Sequence, residues 1–408
     1  MRLVDPRPLQ PYIGHMPDRL LIIGCRIVTP FAEIDRGVIL LDGEKIAAVL
    51  PEGEAGKLPE APRLDAEGRL AVPGLIDLHV QGAGGFDVLD GSAEAMEGIA
   101  RACARFGVTG FLATTVFRPG RPNPHLTAAA ASCRPDRRPA DGADALGIHL
   151  EGPFLAPEKR GMIQPDCLGP ARERTLTEAL RLCGGFLAMM TVAPELPGCL
   201  PLIRRLAGQG IVASFGHSQA DYDQTLAGME AGIRHATHLF NAMAPIHHRA
   251  PGPVPALLER QELTAQVIAD GVHLHPAMLR LAAGWLGAGR LALITDGMQA
   301  MGLPEGRYLY NGLPYEVRDG TARYQDGTLI GTALGLNQLV RRFQQFTGCP
   351  LTMAVRAASF NPACVLGIQR RTGSLEAGKA ADLALLNPDF TVYRVWKRGR
   401  PLGAEPDK

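Results

Sequence analysis

The sequence predicts an α/β protein with a (β/α)8 TIM barrel and a small β-sandwich domain that both termini form. Eight apolar strand candidates between residues 75 and 295 alternate with helical stretches, a pattern typical of parallel βα units. Shorter strand-like runs lie before this region and after it. We therefore predict a barrel over residues 73–371 and a β-domain from residues 1–72 and 372–408, with the first 18 or so residues as an extension.

The terminal elements are short apolar runs between turn-forming glycine, proline and aspartate residues, as in antiparallel strands. Near the N-terminus they are Leu20–Ile23, Ile27–Val28, Val38–Leu41 and Ile46–Val49, and near the C-terminus Asp382–Leu386 and Thr391–Trp396.

The predicted barrel strands are Leu75–His79, Gly110–Thr115, Leu146–Leu150, Phe186–Val192, Ile211–Phe215, Arg234–His238, Thr264–Ala269 and Leu291–Thr295. Helices are predicted at Ala93–Phe106, Arg172–Leu182, Ala220–Ala231 and Pro276–Leu286. After the eighth strand, a turn-rich insertion at 302–327 predicts a hairpin, and helices follow at Leu334–Phe346 and Thr352–Ser359.

Composition excludes several classes of protein. The net charge is +1, so nothing indicates a basic nucleic-acid-binding surface. No apolar run has the roughly 18 to 20 residues that a membrane span needs. The N-terminus has prolines and charges where a signal peptide has an apolar stretch. The 8 cysteines are scattered and form no Cys-x-x-Cys pair, which favours a reducing, cytoplasmic location over a disulfide framework or zinc ribbon.

Polar side chains follow the ends of several predicted barrel strands, where the active sites of this fold lie. They are His79 and Gln81 in LIDLHVQG, Glu151 in IHLEGPF, His217 in SFGHS, His238 in HATHLFN and Asp296 in LITDGM. Each of these residues alone is weak evidence, because a single histidine or aspartate near a strand end is usually structural. Their convergence on one rim favours a catalytic site.

One glutamate, two histidines and an open position match a catalytic zinc-type centre. A bound divalent ion lowers the pKa of its water from about 15.7 to about 7. Asp296 can accept the proton of that water and pass it to a leaving amine. We expect one divalent ion per chain, zinc, at Glu151, His217 and His238, with His79 as a further candidate ligand.

Other chemistries lack their residues. No lysine lies on a predicted barrel strand, which disfavours a Schiff-base aldolase and a carboxylated-lysine metal bridge; Glu151 would take the bridging place. The sequence has no phosphate-binding P-loop and no Gly-x-Ser-x-Gly nucleophile motif.

Several motifs, in this order, resemble the N-acetylglucosamine-6-phosphate deacetylases of the amidohydrolase superfamily. They are PGLIDLHVQGAGG, HLEGPFLAPEKRG, GHSQA, HATHLFNAM, ADGVHLHP, ITDGM and GSLEAGKAADLALL. The resemblance implies a homodimer that removes the acetyl group from N-acetylglucosamine 6-phosphate. It implies Glu151, His217 and His238 as metal ligands and Asp296 as general base and acid. It also implies that the sugar phosphate is held by Asn241, Ala242 (through its backbone), Arg249 and His273.

The chain departs from the family pattern at three positions. Gln81 stands where a second histidine or an asparagine is common, and glutamine is a poor ligand for a second metal. Ile163 replaces a histidine that contacts the substrate carbonyl, so that either the metal ion would have to polarise the carbonyl largely alone or a neighbour such as Gln164 or His247 would have to substitute. Ala250 replaces an acidic residue. Two alternatives stay open: an amidohydrolase for another N-acyl amine or sugar, and a catalytically silent barrel scaffold.

Overall fold

The computed structural model describes residues 18–402, and the predicted N-terminal extension lies almost wholly outside this range. Within the described range, no helix combines the length and the apolar character that crossing a membrane requires.

Strands from both ends of the chain form one small β-domain, as predicted. Its strands are Arg19–Val28, Glu33–Asp42, Lys45–Pro51, Arg63–Asp65, Leu70–Pro73, Leu383–Leu386, Val392–Lys397 and Arg400–Pro401. Leu70–Pro73 pairs with Leu383–Leu386, which joins the two terminal segments. Ile22, Ile39, Leu383 and Trp396 are among the buried side chains of its separate core. The exact domain boundaries stay a prediction.

The central sheet has eight parallel strands in sequence order, and helices alternate with them as in a (β/α)8 barrel. The strands are Leu75–Val80, Val108–Thr115, Asp144–Glu151, Leu187–Val192, Val212–Phe215, His235–Ala236, Thr264–Val267 and Leu291–Leu293. The helices between and after them are Ala93–Ala104, Pro124–Ser132, Glu173–Leu182, Cys199–Gly208, Tyr222–Ala231, Pro253–Glu259, Pro276–Arg290 and Leu336–Thr347. Leu351–Ala357 and Phe360–Val365 follow.

Contacts between the first and eighth strands close the barrel. A parallel bridge joins Val80 to Gly297. On the adjoining turn, the Thr295 hydroxyl donates to Asp77 over 2.6 Å. Burial raises the pKa of Asp77 to about 6. The two strand ends are thus held side by side, which brings the residues that follow them together at one rim.

The insertion after the eighth strand is larger than the predicted hairpin. It forms four antiparallel strands, Gly306–Tyr310, Leu313–Arg318, Thr321–Tyr324 and Leu329–Thr332. Its last strand returns to the barrel rim, where the Thr332 amide donates to the Asp296 carbonyl over 2.9 Å. A Cβ on Gly331 would lie 2.3 Å from the same carbonyl oxygen, so only glycine allows this close approach.

At the opposite end of the barrel, a buried ion cluster fastens the β-domain. Asp144 begins the third barrel strand, and its carboxylate contacts Lys397 at 2.9 Å and Arg398 at 2.8 Å. Burial lowers the pKa of Lys397, while Asp144 opposes this shift. A buried charge that loses its partner is strongly destabilising.

We expect Asp144→Ala to lower the free energy of unfolding by about 3–5 kcal/mol, because it leaves the Lys397 ammonium buried without its counter-ion. Denaturant unfolding measures the change. Asp136→Ala is the control, because the ion pair of Asp136 with Arg134 is exposed. An equal loss of stability in both variants would contradict the cluster's role.

Candidate active site

The side chains predicted at the strand ends converge at one rim of the barrel. Glu151 ends the third strand, while His217, His238 and Asp296 follow the fifth, sixth and eighth strands by two or three residues. All four are buried. They line a cavity of about 320 Å³, together with Glu158, Lys159, Gly161, Met162, Asn241, Ala242, His273, Leu329 and Ile330.

Three potential ligand atoms form a tight triangle. Oε1 of Glu151 lies 2.9 Å from Nε2 of His217 and 3.1 Å from Nε2 of His238. The two Nε2 atoms are 3.0 Å apart. Among the residues described, this is the one cluster of three or more histidine, cysteine or carboxylate ligands that could hold a metal ion.

The chemistry of this donor set fits a divalent cation. The Nδ1–H group of His217 donates to the Lys159 carbonyl over 2.7 Å, which leaves the lone pair of Nε2 directed toward the triangle. Burial opposes ionisation of Glu151, but His79 and His217 hold its pKa well below the usual range. An ionised carboxylate and imidazole lone pairs at such short distances are stabilised by a shared cation.

The backbone at these positions is strained. His217 and Asp296 both have φ of 49°, and His238 has φ of 30°. Residues other than glycine rarely adopt this left-handed region, and such residues cluster at functional sites. The strand ends therefore turn sharply to direct these side chains into the cavity.

Asp296 and His79 are close neighbours beside the triangle. Nε2 of His79 lies 3.2 Å from Oδ1 of Asp296 and 3.8 Å from Oε1 of Glu151. On its other side, Nδ1 of His79 is 3.3 Å from Oε1 of Gln266. The amide oxygen of Gln266 faces His79, so the ring donates from Nδ1, while its Nε2 has no hydrogen-bond partner among the described residues.

His273 reaches the same cavity with a fixed orientation. Its Nδ1 lies 2.6 Å from Oδ2 of Asp270, and the backbone amides of Val272 and His273 donate to the other carboxylate oxygen. Burial lowers the pKa of His273, but the hydrogen bond and charge of Asp270 raise it overall. The raised pKa makes His273 a suitable partner for an anion.

The other predicted substrate contacts divide into two groups. Asn241 and Ala242 line the cavity, and the Asn241 amide donates to the His238 carbonyl over 3.2 Å. Arg249 is exposed and does not line this cavity; its guanidinium lies 2.8 Å from Nε2 of His248. Its role in phosphate binding stays a prediction.

Ile163 does not face the cavity. It is buried in an apolar cluster with Leu155, Cys167, Met298 and Tyr310 beneath the inserted sheet, and Met162 lines the cavity instead. Gln164 and His247, the substitutes expected for the missing histidine, are also absent from the cavity lining. The apolar pattern of GMI gave no signal of which side chain would turn inward.

Sequence reasoning missed Lys159 and Asp270 as parts of the site. The Nζ atom of Lys159 donates to the Met243 carbonyl over 3.0 Å, and its own carbonyl orients His217. Asp270 stands three residues before His273 in ADGVH, a spacing that places two side chains together in a tight turn. This three-residue spacing is the sequence feature from which the Asp270–His273 contact could have been predicted.

The chain is similar to known proteins along most of its length. Residues 70–300 and 320–402 match the amidohydrolase family. The chain is 36% identical over 386 residues to N-acetylglucosamine-6-phosphate deacetylase of Bacillus subtilis, covering 94% of this chain and 97% of the relative. It is also 36% identical to N-acetylgalactosamine-6-phosphate deacetylase of Escherichia coli O157:H7, over 82% of this chain and 88% of that protein.

A solved structure is similar over nearly the whole chain. It is a mutant N-acetyl-D-glucosamine-6-phosphate deacetylase from Mycobacterium smegmatis in complex with N-acetyl-D-glucosamine-6-phosphate. The TM-score is 0.87 at 32% identity, covering 95% of this chain and 100% of that one.

Proposed function

Since this chain belongs to the N-acetylglucosamine-6-phosphate deacetylases of the amidohydrolase family, we propose that it hydrolyses N-acetylglucosamine 6-phosphate to glucosamine 6-phosphate and acetate. The observation that best supports this is the triangle of Glu151, His217 and His238 beside Asp296 in one cavity. The family resemblance implies each of these residues as a metal ligand or as the general base.

Glu151, His217 and His238 would hold one divalent ion, which we propose to be zinc because nitrogen and carboxylate ligands with an open position suit it. When bound, the ion lowers the pKa of its water and polarises the substrate carbonyl. His79 stays a candidate for a further ligand, because its Nε2 has no hydrogen-bond partner among the described residues and lies 3.2 Å from Asp296.

Asp296 accepts the proton of the attacking water and delivers it to the amide nitrogen. The carbon–oxygen bond forms, the carbon–nitrogen bond breaks, and acetate and the free amine leave. His273, oriented by its hydrogen bond to Asp270, binds the phosphate group together with the Asn241–Ala242 segment. Met162 and Ile330 supply an apolar wall to the same cavity.

The phosphate contact predicts a large effect of His273→Gln. A hydrogen bond to a charged group contributes about 1.5–3 kcal/mol, so we expect KM for N-acetylglucosamine 6-phosphate to rise about 10- to 100-fold. Turnover of unphosphorylated N-acetylglucosamine should change little. Steady-state kinetics on both sugars measures this, with His275→Gln, at an exposed histidine two residues away, as the control. Equal effects on both sugars would contradict the phosphate role.

A second candidate substrate is N-acetylgalactosamine 6-phosphate, because the relative from Escherichia coli O157:H7 is an N-acetylgalactosamine-6-phosphate deacetylase. The deciding comparison is kcat/KM for the two phosphorylated sugars, their unphosphorylated forms, and N-acetyl and N-formyl amino acids. If phosphate gives no advantage, the protein is an amidohydrolase for another N-acyl amine. This comparison matters because Ile163 stands where the family has a histidine that contacts the substrate carbonyl. Loss of one such oxyanion donor costs about 3 to 4 kcal/mol of transition-state stabilisation in related sites.

We also propose a cytoplasmic homodimer. All 8 cysteines are unpaired, which supports a reducing compartment. The family resemblance supports the dimer, and analytical ultracentrifugation tests it.

A further inference from the structure

Gln81 is a buried amide at the edge of the active site. It follows the first barrel strand, and its side chain is 1% exposed. Its Nε2 group donates to Oδ1 of Asp296 over 3.1 Å. The backbone amides of Gln81 and Gly82 both donate to the Gly297 carbonyl over 2.9 Å, so this segment is tied to the residue that follows Asp296.

The orientation of the Gln81 amide follows from its partner. An ionised carboxylate can only accept hydrogen bonds, so the amide must present its N–H group to Asp296. The amide oxygen then points elsewhere, and it is buried with no hydrogen-bond donor among the described residues. Gln81 therefore makes one directed side-chain contact, and that contact is to the proposed base.

The side-chain hydrogen bond of Asp296 falls on one carboxylate oxygen. Nε2 of Gln81 donates to Oδ1 over 3.1 Å, whereas no described residue makes a hydrogen bond with Oδ2. The contact with Gln81 therefore restrains the rotation of the carboxylate and leaves Oδ2 without a hydrogen-bond partner. A general base needs one such oxygen directed at the proton that it accepts.

We propose that Gln81 is a positioning residue for proton transfer, which fixes Asp296 through Oδ1 and so presents Oδ2 to the attacking water. The inference rests on the proposed role of Asp296 as general base. It assigns to Gln81 a function on the base rather than on the metal. Removing the N–H donor should then slow turnover without weakening substrate or metal binding.

The test is Gln81→Met, which keeps the length of the side chain and removes the donor. We expect kcat on N-acetylglucosamine 6-phosphate to fall about 10- to 100-fold, the range for a hydrogen bond to a charged group. KM, zinc content and melting temperature should stay unchanged. Gln299→Met, in the loop after the eighth barrel strand, is the matched control and should keep normal kcat. No hydrogen bond of the Gln299 side chain is found among the described residues.

Gln81→Glu is the second variant, for the case that Gln81→Met does not fold. It keeps the shape but faces Asp296 with a second carboxylate, and kcat should fall at least as far. Unchanged kcat in either folded variant would overturn the inference, and so would a loss explained entirely by KM or by zinc content.

A double variant separates this inference from the proposed function. In an Asp296→Asn background, Gln81→Met should slow the residual turnover by less than about twofold, because the two residues act as one unit. A further 10-fold loss would overturn the positioning role. If the unmodified enzyme does not turn over N-acetylglucosamine 6-phosphate, the proposed function fails, and if Asp296→Asn keeps normal turnover, the role of Asp296 as base fails. If Asp296→Asn is inactive but Gln81→Met is normal, only the inference fails.

Discussion

His217→Asn is expected to abolish both metal binding and turnover, the largest effect of any single change in this protein. His217 contributes Nε2 to a triangle whose edges are 2.9 to 3.1 Å, and its loss leaves two ligands. Changes to residues that only orient a ligand already cost about 10- to 100-fold in metal affinity, so loss of a ligand should cost more. Asparagine is the suitable replacement because it tolerates the left-handed backbone at φ of 49°.

Elemental analysis of gently purified protein should give near one equivalent of zinc per unmodified chain and almost none in His217→Asn. Chelator treatment should abolish turnover by the unmodified enzyme. Added zinc should restore turnover in that enzyme but not in His217→Asn. His248→Asn, at an exposed histidine, is the control and should keep its metal. Normal zinc content in His217→Asn would contradict the ligand assignment.

Asp296→Asn is expected to keep the metal and to lower kcat about 10²- to 10⁴-fold, because general acid–base groups contribute about this much. The asparagine keeps the shape of the side chain and also tolerates the left-handed backbone of Asp296. It cannot accept the proton of the attacking water. Turnover and zinc content measured on the same preparation separate the loss of the base from the loss of the ion.

Asp319→Asn is the matched control for Asp296. Asp319 also has a positive φ, of 52°, but lies exposed in the inserted sheet. Its variant should keep normal kcat. Turnover close to normal in Asp296→Asn would indicate that Asp296 only shapes the strand end, and another group would then have to take the proton.

The order of the barrel strands, and the residues at their ends, were determined by the sequence. Every predicted barrel strand is present, because buried parallel strands need continuous apolar runs and the turns between elements need glycine, proline or aspartate. Glu151, His217, His238 and Asp296 could be assigned to one rim from the chain alone. In a parallel barrel, residues that follow the strands must share one face.

Helices with weak patterns were harder to predict from the sequence. Pro124–Ser132 and Pro253–Glu259 have few charged residues to mark a polar face, so they differ little from apolar loops. The insertion likewise gave only turn signals. The insertion forms four strands, and its last strand pairs with the barrel rim near Asp296. This contact joins segments about 35 residues apart along the chain, so local sequence patterns do not predict it.

Only the tertiary structure decided which way individual side chains turn. Gln81 contacts Asp296 across 215 residues, and His79 meets Gln266 across 187 residues. Met162 enters the cavity while Ile163 packs beneath the inserted sheet, although both are apolar neighbours in one loop. Sequence periodicity indicates which residues are buried. The direction of a buried polar group depends instead on partners that folding brings from distant strands.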